Sequence, residues 1–251
     1  MRYSETPLIA PPGKRKGCLR RTDSFGSRFK PMADQTRILS WEEIKHRMHS
    51  ALSLRPFVRQ ILDQDGVGSC AAEAVTQAIM TTRVKAGQPH VLLNPWSIYQ
   101  ETSGGRDRGS NIGDNIAFAT EQGCLPKAVW PRSKGWRTKP PQELWDRYGK
   151  HFRLDEVGEI GEAQETASAL VDAFAIVFGW QGHSCMLDHL LDEDTAEYAN
   201  SWKQTWGDEG FGKVYLRSIN YGYGQFAVRT TTICPKRVLD ELAVIGSSSN
   251  S

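Results

Sequence analysis

An α+β fold is what this chain predicts, and three observations carry it. Helical signals crowd the first half, where a capping box, an alanine-rich run and an Asn-Pro start follow one another. Short apolar runs of strand length crowd the second half, from about residue 152 to 232. Helices first and strands later is the α+β order, not the alternation of a parallel sheet. At 251 residues and 39% hydrophobic content, the chain can bury a full core in one domain or two small lobes.

Residues 1–37 are rich in Pro, Gly, Ser and basic side chains and lack an apolar period, so they read as an extended arm. Nine Lys and Arg there face three acids, a charge of +6, while 22 basic and 26 acidic residues leave −4 on the rest. The arm is therefore expected to be dispensable for folding and to dock by charge, on an acidic neighbour or on its own domain. Ser40-Trp41-Glu42-Glu43 is a capping box opening a helix to about His49. Residues 55–59 read as extended. From Cys70 to about Lys85 the residues Ala71, Ala74, Val75, Ala78, Ile79 and Thr82 share one helical face, and Gly87 is a stop. Asn94-Pro95 caps a helix over 96–102, residues 104–113 are a Gly/Asp/Arg-rich loop, and a helix over 114–122 ends at Gly123. Residues 131–142 read as the crossing between lobes. Strands are predicted at 152–157, 175–178, 183–189, 197–200, 213–216 and 225–232, with a helix at 164–173. The boundaries that follow are an arm at 1–37, a main domain at 38–235, and a short helix and Ser/Asn tail at 236–251.

The N-terminus has no apolar run of signal-peptide length, and no segment approaches the ~20 residues of a membrane span. The five cysteines are odd in number and scattered, which favours a reducing compartment, cytoplasmic or virion-associated. No phosphate loop or other cofactor motif is present. Cys70, His183, Cys185 and His189 match no usual zinc spacing, so neither a metal nor a cofactor is expected. The basic arm has no aromatic interleaving, so protein docking outranks nucleic acid as its role.

The chemistry is carried by four residues in order: Gln64, Cys70, His183 and Asn200. Cysteine, histidine and asparagine are the parts of a thiol acyl-transfer site, in which Cys70 attacks, His183 takes its proton and Asn200 orients the imidazole. Gln64, six residues before Cys70, is placed to donate its amide to an oxyanion. A helix starting at Cys70 and a nearby imidazolium both favour the thiolate, predicting a thiol pKa below neutral, against about 8.5 for a free cysteine. His189 lies only eleven residues before Asn200, too few for two strands and a turn, so His183 is the preferred base.

Gln64-Asp65-Gly66-Val67-Gly68-Ser69-Cys70 and Asn200-Ser201-Trp202, followed by Trp206-Gly207-Asp208-Glu209-Gly210-Phe211-Gly212, resemble the two signature motifs of papain-like cysteine peptidases. The likeness is greatest to the compact members encoded by bacteria and tailed phages, and it spans about residues 40–232. Ala71 stands where the family has an aromatic residue, and Lys203 where it has a glycine. The disulfide of secreted members has no counterpart, since Val67 and Ser110 occupy its places. NlpC/P60-type and transglutaminase-like proteins share the Cys-before-His order but not the Gln64 offset or the Asn200 motif. The resemblance implies a two-lobe papain-like fold, a helical lobe led by the Cys70 helix and an antiparallel β-rich lobe, with the site in the cleft between them. It implies that Trp202 and Trp206 shield the Asn200–His183 bond from water, and that Asn111, Ile112 and Gly113 pair with an extended peptide substrate. Hydrolysis of peptide or amide bonds is the expected activity. Because no inhibitory pro-segment is obvious, the alternative is a structural component of a phage particle, in capsid or tail, with the arm contacting other virion proteins.

Overall fold

The alanine-rich run forms helix α2 (Cys70–Lys85), and the computed structural model, which describes residues 8–248, buries every one of its residues from Cys70 to Arg83. The sequence pattern had given it one apolar face. The small side chains of Ala71, Ala72, Ala74 and Ala78 instead let neighbours approach from all sides, as in any helix enclosed by a core. On one side lie α3 (Pro95–Thr102) and α4 (Ile112–Glu121), capped by Asn94 and Asn111, whose side chains accept from Trp96 N and Asp114 N.

On the other side lies a six-stranded sheet of β3 (Leu154–Glu159), β4 (Ala175–Trp180), β5 (His183–Leu190), β6 (Thr195–Ala199), β7 (Phe211–Tyr215) and β8 (Phe226–Thr231). Its spatial order is β3-β8-β4-β5-β6-β7, with every neighbouring pair antiparallel. Side chains alternate across it with a period of two. Ala175 and Val177 of β4 join the core around α2, whereas Ile176, Phe178 and Trp180 join a second core on the far face. That second core is closed by α6 (Ala163–Val171) and by α1 (Trp41–Arg47), whose capping box forms as expected. The architecture is α+β and papain-like, with α2 between a helical layer and the sheet.

Two local differences from the sequence reading have simple causes. Residues 55–59 hold a 3₁₀ turn (Arg55–Phe57), which Pro56 favours by fixing φ. The 131–142 crossing leads into α5 (Gln142–Arg147), too short for its apolar period to be read. The C-terminal helix α7 (Lys236–Ser248) extends past the expected 245, and residues 249–251 of the tail lie outside the described residues.

The arm packs into the fold. Leu8, Cys18 and Met32 are buried, Met32 completely. The arm runs beside β3, where Glu159 N donates to Lys30 O (3.0 Å), and Glu159 Oε2 accepts from Gly26 N (2.8 Å). The fully buried Glu159 carboxylate also pairs with Arg21. An arm docked through its backbone and single anchors leaves no periodic signature, so the sequence showed it only as an apolar-poor stretch. No helix among the described residues is long and apolar enough to cross a membrane.

Candidate active site

Cys70 is the first residue of α2, so its side chain sits where unpaired helix N–H groups concentrate positive potential. His183 opens β5, and Asn200 follows β6, the neighbouring strand. The ring of His183 donates from Nε2 to Asn200 Oδ1 at 2.7 Å. Ser201 N also donates to that oxygen (2.7 Å), which fixes the amide's orientation. With Oδ1 acting only as an acceptor, the imidazole proton sits on Nε2 and the lone pair on Nδ1. That Nδ1 is buried and has no partner.

Trp202 stacks on His183, with ring centroids 4.3 Å apart and planes at 26°, and Trp206 packs edge-on against Trp202 at 5.6 Å. Excluding water from the His183–Asn200 bond strengthens it. Gln64 is fully buried and tied to the same motif. Its Oε1 accepts from Ser201 Oγ (2.9 Å) and Trp202 Nε1 (3.1 Å), which turns its amide N–H groups the other way. They donate to Val67 O and to Arg15 O, both at 2.7 Å. The acceptor supplied by Arg15 is a backbone carbonyl, the group whose oxygen becomes anionic in acyl transfer.

Arg15 belongs to the arm, and the arm fills the cleft. Gly17 N donates to Cys70 Sγ at 3.3 Å, and Gly17 O accepts from Ser110 N at 2.9 Å. Cys18 N donates to Gly182 O (2.9 Å), beside His183. The two-residue strands β1 (Cys18–Leu19) and β2 (Ser110–Asn111) pair in parallel. Lys14 pairs with Asp63, and Arg15 with Asp107. The segment passes so close that a Cβ on Gly17 would run into the carbonyl of Gly68. The absence of an obvious inhibitory segment, expected from sequence, is corrected here: residues 14–19 cover the thiol.

That cover sets the electrostatics. Burial pushes the Cys70 thiol up to about 11, while the N–H groups of Gly17, Ser184 and Ala71 pull it down and Glu73 pushes it up. Burial drives His183 down to about 4, against the Asn200 bond and helped by Lys16. Near neutral pH both groups are uncharged. The low thiol pKa expected from the helix start and an imidazolium is therefore not met in this arm-docked state, because loss of water outweighs the helix N–H groups.

The pairing edge differs from the expected Asn111-Ile112-Gly113. Ser110 and Asn111 form it, whereas Ile112 and Gly113 lie in the first turn of α4, with Ile112 fully buried. His189 is bonded to Asp188 Oδ2 (2.8 Å) and Ser53 Oγ (3.2 Å). Asp188, His189 and Glu197 bring possible ligand atoms within 4.8 Å of one another, but Arg55 already pairs with Glu197. Sequence reasoning missed Asp107, Tyr99 and Gly17. The last had a signal, as one of the two glycines that flank the basic run Lys14-Arg15-Lys16.

No protein-family model matches the sequence, and no curated protein matches it. Solved structures do match. Xylellain, a cysteine protease from Xylella fastidiosa, superposes with a TM-score of 0.70 at 17% identity, over 92% of this chain and 100% of that one. Procathepsin L2 from the Tenebrio molitor larval midgut gives 0.63 at 14% identity, covering 88% and 79%. A procathepsin B from Trypanosoma congolense gives 0.61 at 13%, covering 87% of each. The chain has the fold of these papain-like proteases.

Proposed function

We propose that this chain is a cysteine peptidase that hydrolyses peptide bonds through Cys70, His183, Asn200 and Gln64, and that its own arm holds it closed. The observation that carries the reading is the committed Nε2 and free Nδ1 of His183, behind a tryptophan shield and next in the chain to Ser184, whose N–H reaches the thiol at the helix start.

With the arm displaced, Sγ of Cys70 attacks the substrate carbonyl carbon while Nδ1 of His183 accepts the thiol proton. Negative charge moving to the carbonyl oxygen meets the Gln64 amide and the backbone N–H of Cys70. The resulting imidazolium, oriented by Asn200, protonates the departing amine. Water then attacks the thioester, its proton passing to His183, and the acid leaves with the thiol restored. The docked arm presents an N–H to Sγ at Gly17, not a carbonyl carbon, so it blocks the thiol without offering it an electrophile.

Labelling the full-length Gly17→Ala protein, in which an added Cβ meets the Gly68 carbonyl and unseats the arm from the buried thiol, with an epoxide probe tests this reading, alone and with His183→Ala added. Modification should fall on Cys70 in preference to Cys18, Cys124, Cys185 and Cys234, and should drop sharply in His183→Ala. Labelling that ignores His183, or that favours another cysteine, would refute it.

A further inference from the structure

Resting on the peptidase reading, we propose that Asp107 makes this cleft select peptides with arginine or lysine beside the bond presented to Cys70, with Asp63 as a weaker second anchor. The arm supplies the imprint. Lys14 and Arg15 lie three and two residues before Gly17, and each meets a carboxylate of the cleft wall.

Asp107 is built as a receptor. Its Oδ1 accepts from Gly68 N at 2.8 Å and from Tyr99 Oη at 2.9 Å, and Tyr99 Oη in turn accepts from Gly109 N at 3.1 Å. Those bonds lock the carboxylate between the two glycines that flank Gly17, leaving Oδ2 for the Arg15 guanidinium. The donors on Oδ1 are neutral, so departure of the arm leaves a fixed negative charge with no ion-pair partner among the described residues other than Arg15. A side chain held in place this way loses little freedom on binding, and a guanidinium matches a carboxylate in shape as well as charge. Asp63 differs. It keeps Lys203 at 3.3 Å when Lys14 leaves, so less of its charge is free to recruit a substrate.

The test uses full-length Gly17→Ala protein, whose added Cβ collides with the Gly68 carbonyl and unseats the arm. Three dipeptidyl acyloxymethyl ketones, differing only in carrying Arg-Arg, Leu-Leu or Glu-Glu, are compared by their rates of covalent modification of Cys70. The Arg-Arg probe should react about tenfold faster than Leu-Leu or more, the scale of one charge-assisted contact, and Glu-Glu slowest. Adding Asp107→Asn should bring the Arg-to-Leu ratio close to one. A second readout leaves Asp107 untouched: raising salt to about 0.5 M should shrink that ratio. Equal Arg and Leu rates, or an advantage that survives both Asp107→Asn and high salt, overturns the proposal while leaving the peptidase reading intact. Modification of Cys70 by iodoacetamide but by none of the three ketones overturns both.

Discussion

In the proposed reaction His183 must be neutral at rest and cationic in turnover, and its two nitrogens divide that work. Nε2 is spent on Asn200, so only Nδ1 can exchange protons with the thiol. Removing the base should cost far more than removing its orienter. We expect His183→Ala to lower kcat nearly as much as Cys70→Ala, because residues acting as a unit are non-additive, and Asn200→Ala to leave measurable turnover. Steady-state kinetics on the three variants checks this, and a silent His183→Ala with a damaging His189→Ala would reverse the assignment. The same histidine has a signature in stability. Its pKa falls to about 4 in the folded protein from an ordinary 6.5, so the unfolded chain takes up a proton that the folded one refuses. The stability associated with neutral His183 is fully present above pH 6.5 and is lost as pH falls through 4. Relative to His183→Gln, the wild type should lose about 3 kcal/mol between pH 6.5 and 4, measured by urea unfolding at each pH. A difference that does not vary over that window contradicts the buried, neutral assignment.

Among the elements, α2 and the Asn200 loop were legible in the sequence, and the arm was not. Alanine-rich periodicity and the helix start at Cys70 are local signals, and the Gln64 and Asn200 motifs carry their own spacing. The order of strands in the second half was equally readable from short apolar runs. Only their limits shifted, β3 to Leu154–Glu159 and β6 to Thr195–Ala199. The arm's place depends on contacts with residues over 90 positions away, such as Arg15 with Asp107 and Arg21 with Glu159, and such pairings leave no trace in local pattern. Its charge excess did point to docking, and its own domain is the partner it meets in this structure. These contacts make the arm more than a cover. Arg21→Ala would leave the Glu159 carboxylate, which is fully buried, without its cation, and breaking a buried pair in this way costs about 3–5 kcal/mol. Thermal unfolding should therefore show a Tm lower by roughly 6 °C or more in a domain of this size. A shift of a degree or less would mean that the arm contributes nothing to the fold, as its composition alone suggested.

At the scale of the whole molecule, the site exists because two layers meet. Cys70 comes from the helix between them, His183 and Asn200 come from the sheet, and Gln64 bonds to Ser201 and Trp202 across the join. Gly17 N donates directly to Cys70 Sγ, and Arg15, two residues before it, holds the Gln64 amide, so one short segment blocks both the proposed nucleophile and the proposed oxyanion donor. Sequence singled out the candidate catalytic residues but not their cover, and the cover reverses the expected charge state of the thiol and imidazole. The account turns on a thiol that is competent but sealed. Hydrolysis of a fluorogenic peptide by full-length wild type, Gly17→Ala and Gly17→Ala/Cys70→Ala tests it most directly. The prediction is that Gly17→Ala turns over about tenfold faster than wild type or more, the factor for each 1.4 kcal/mol of arm docking removed, and that the double variant is inert. Equal rates in wild type and Gly17→Ala, or hydrolysis that persists without Cys70, would contradict it.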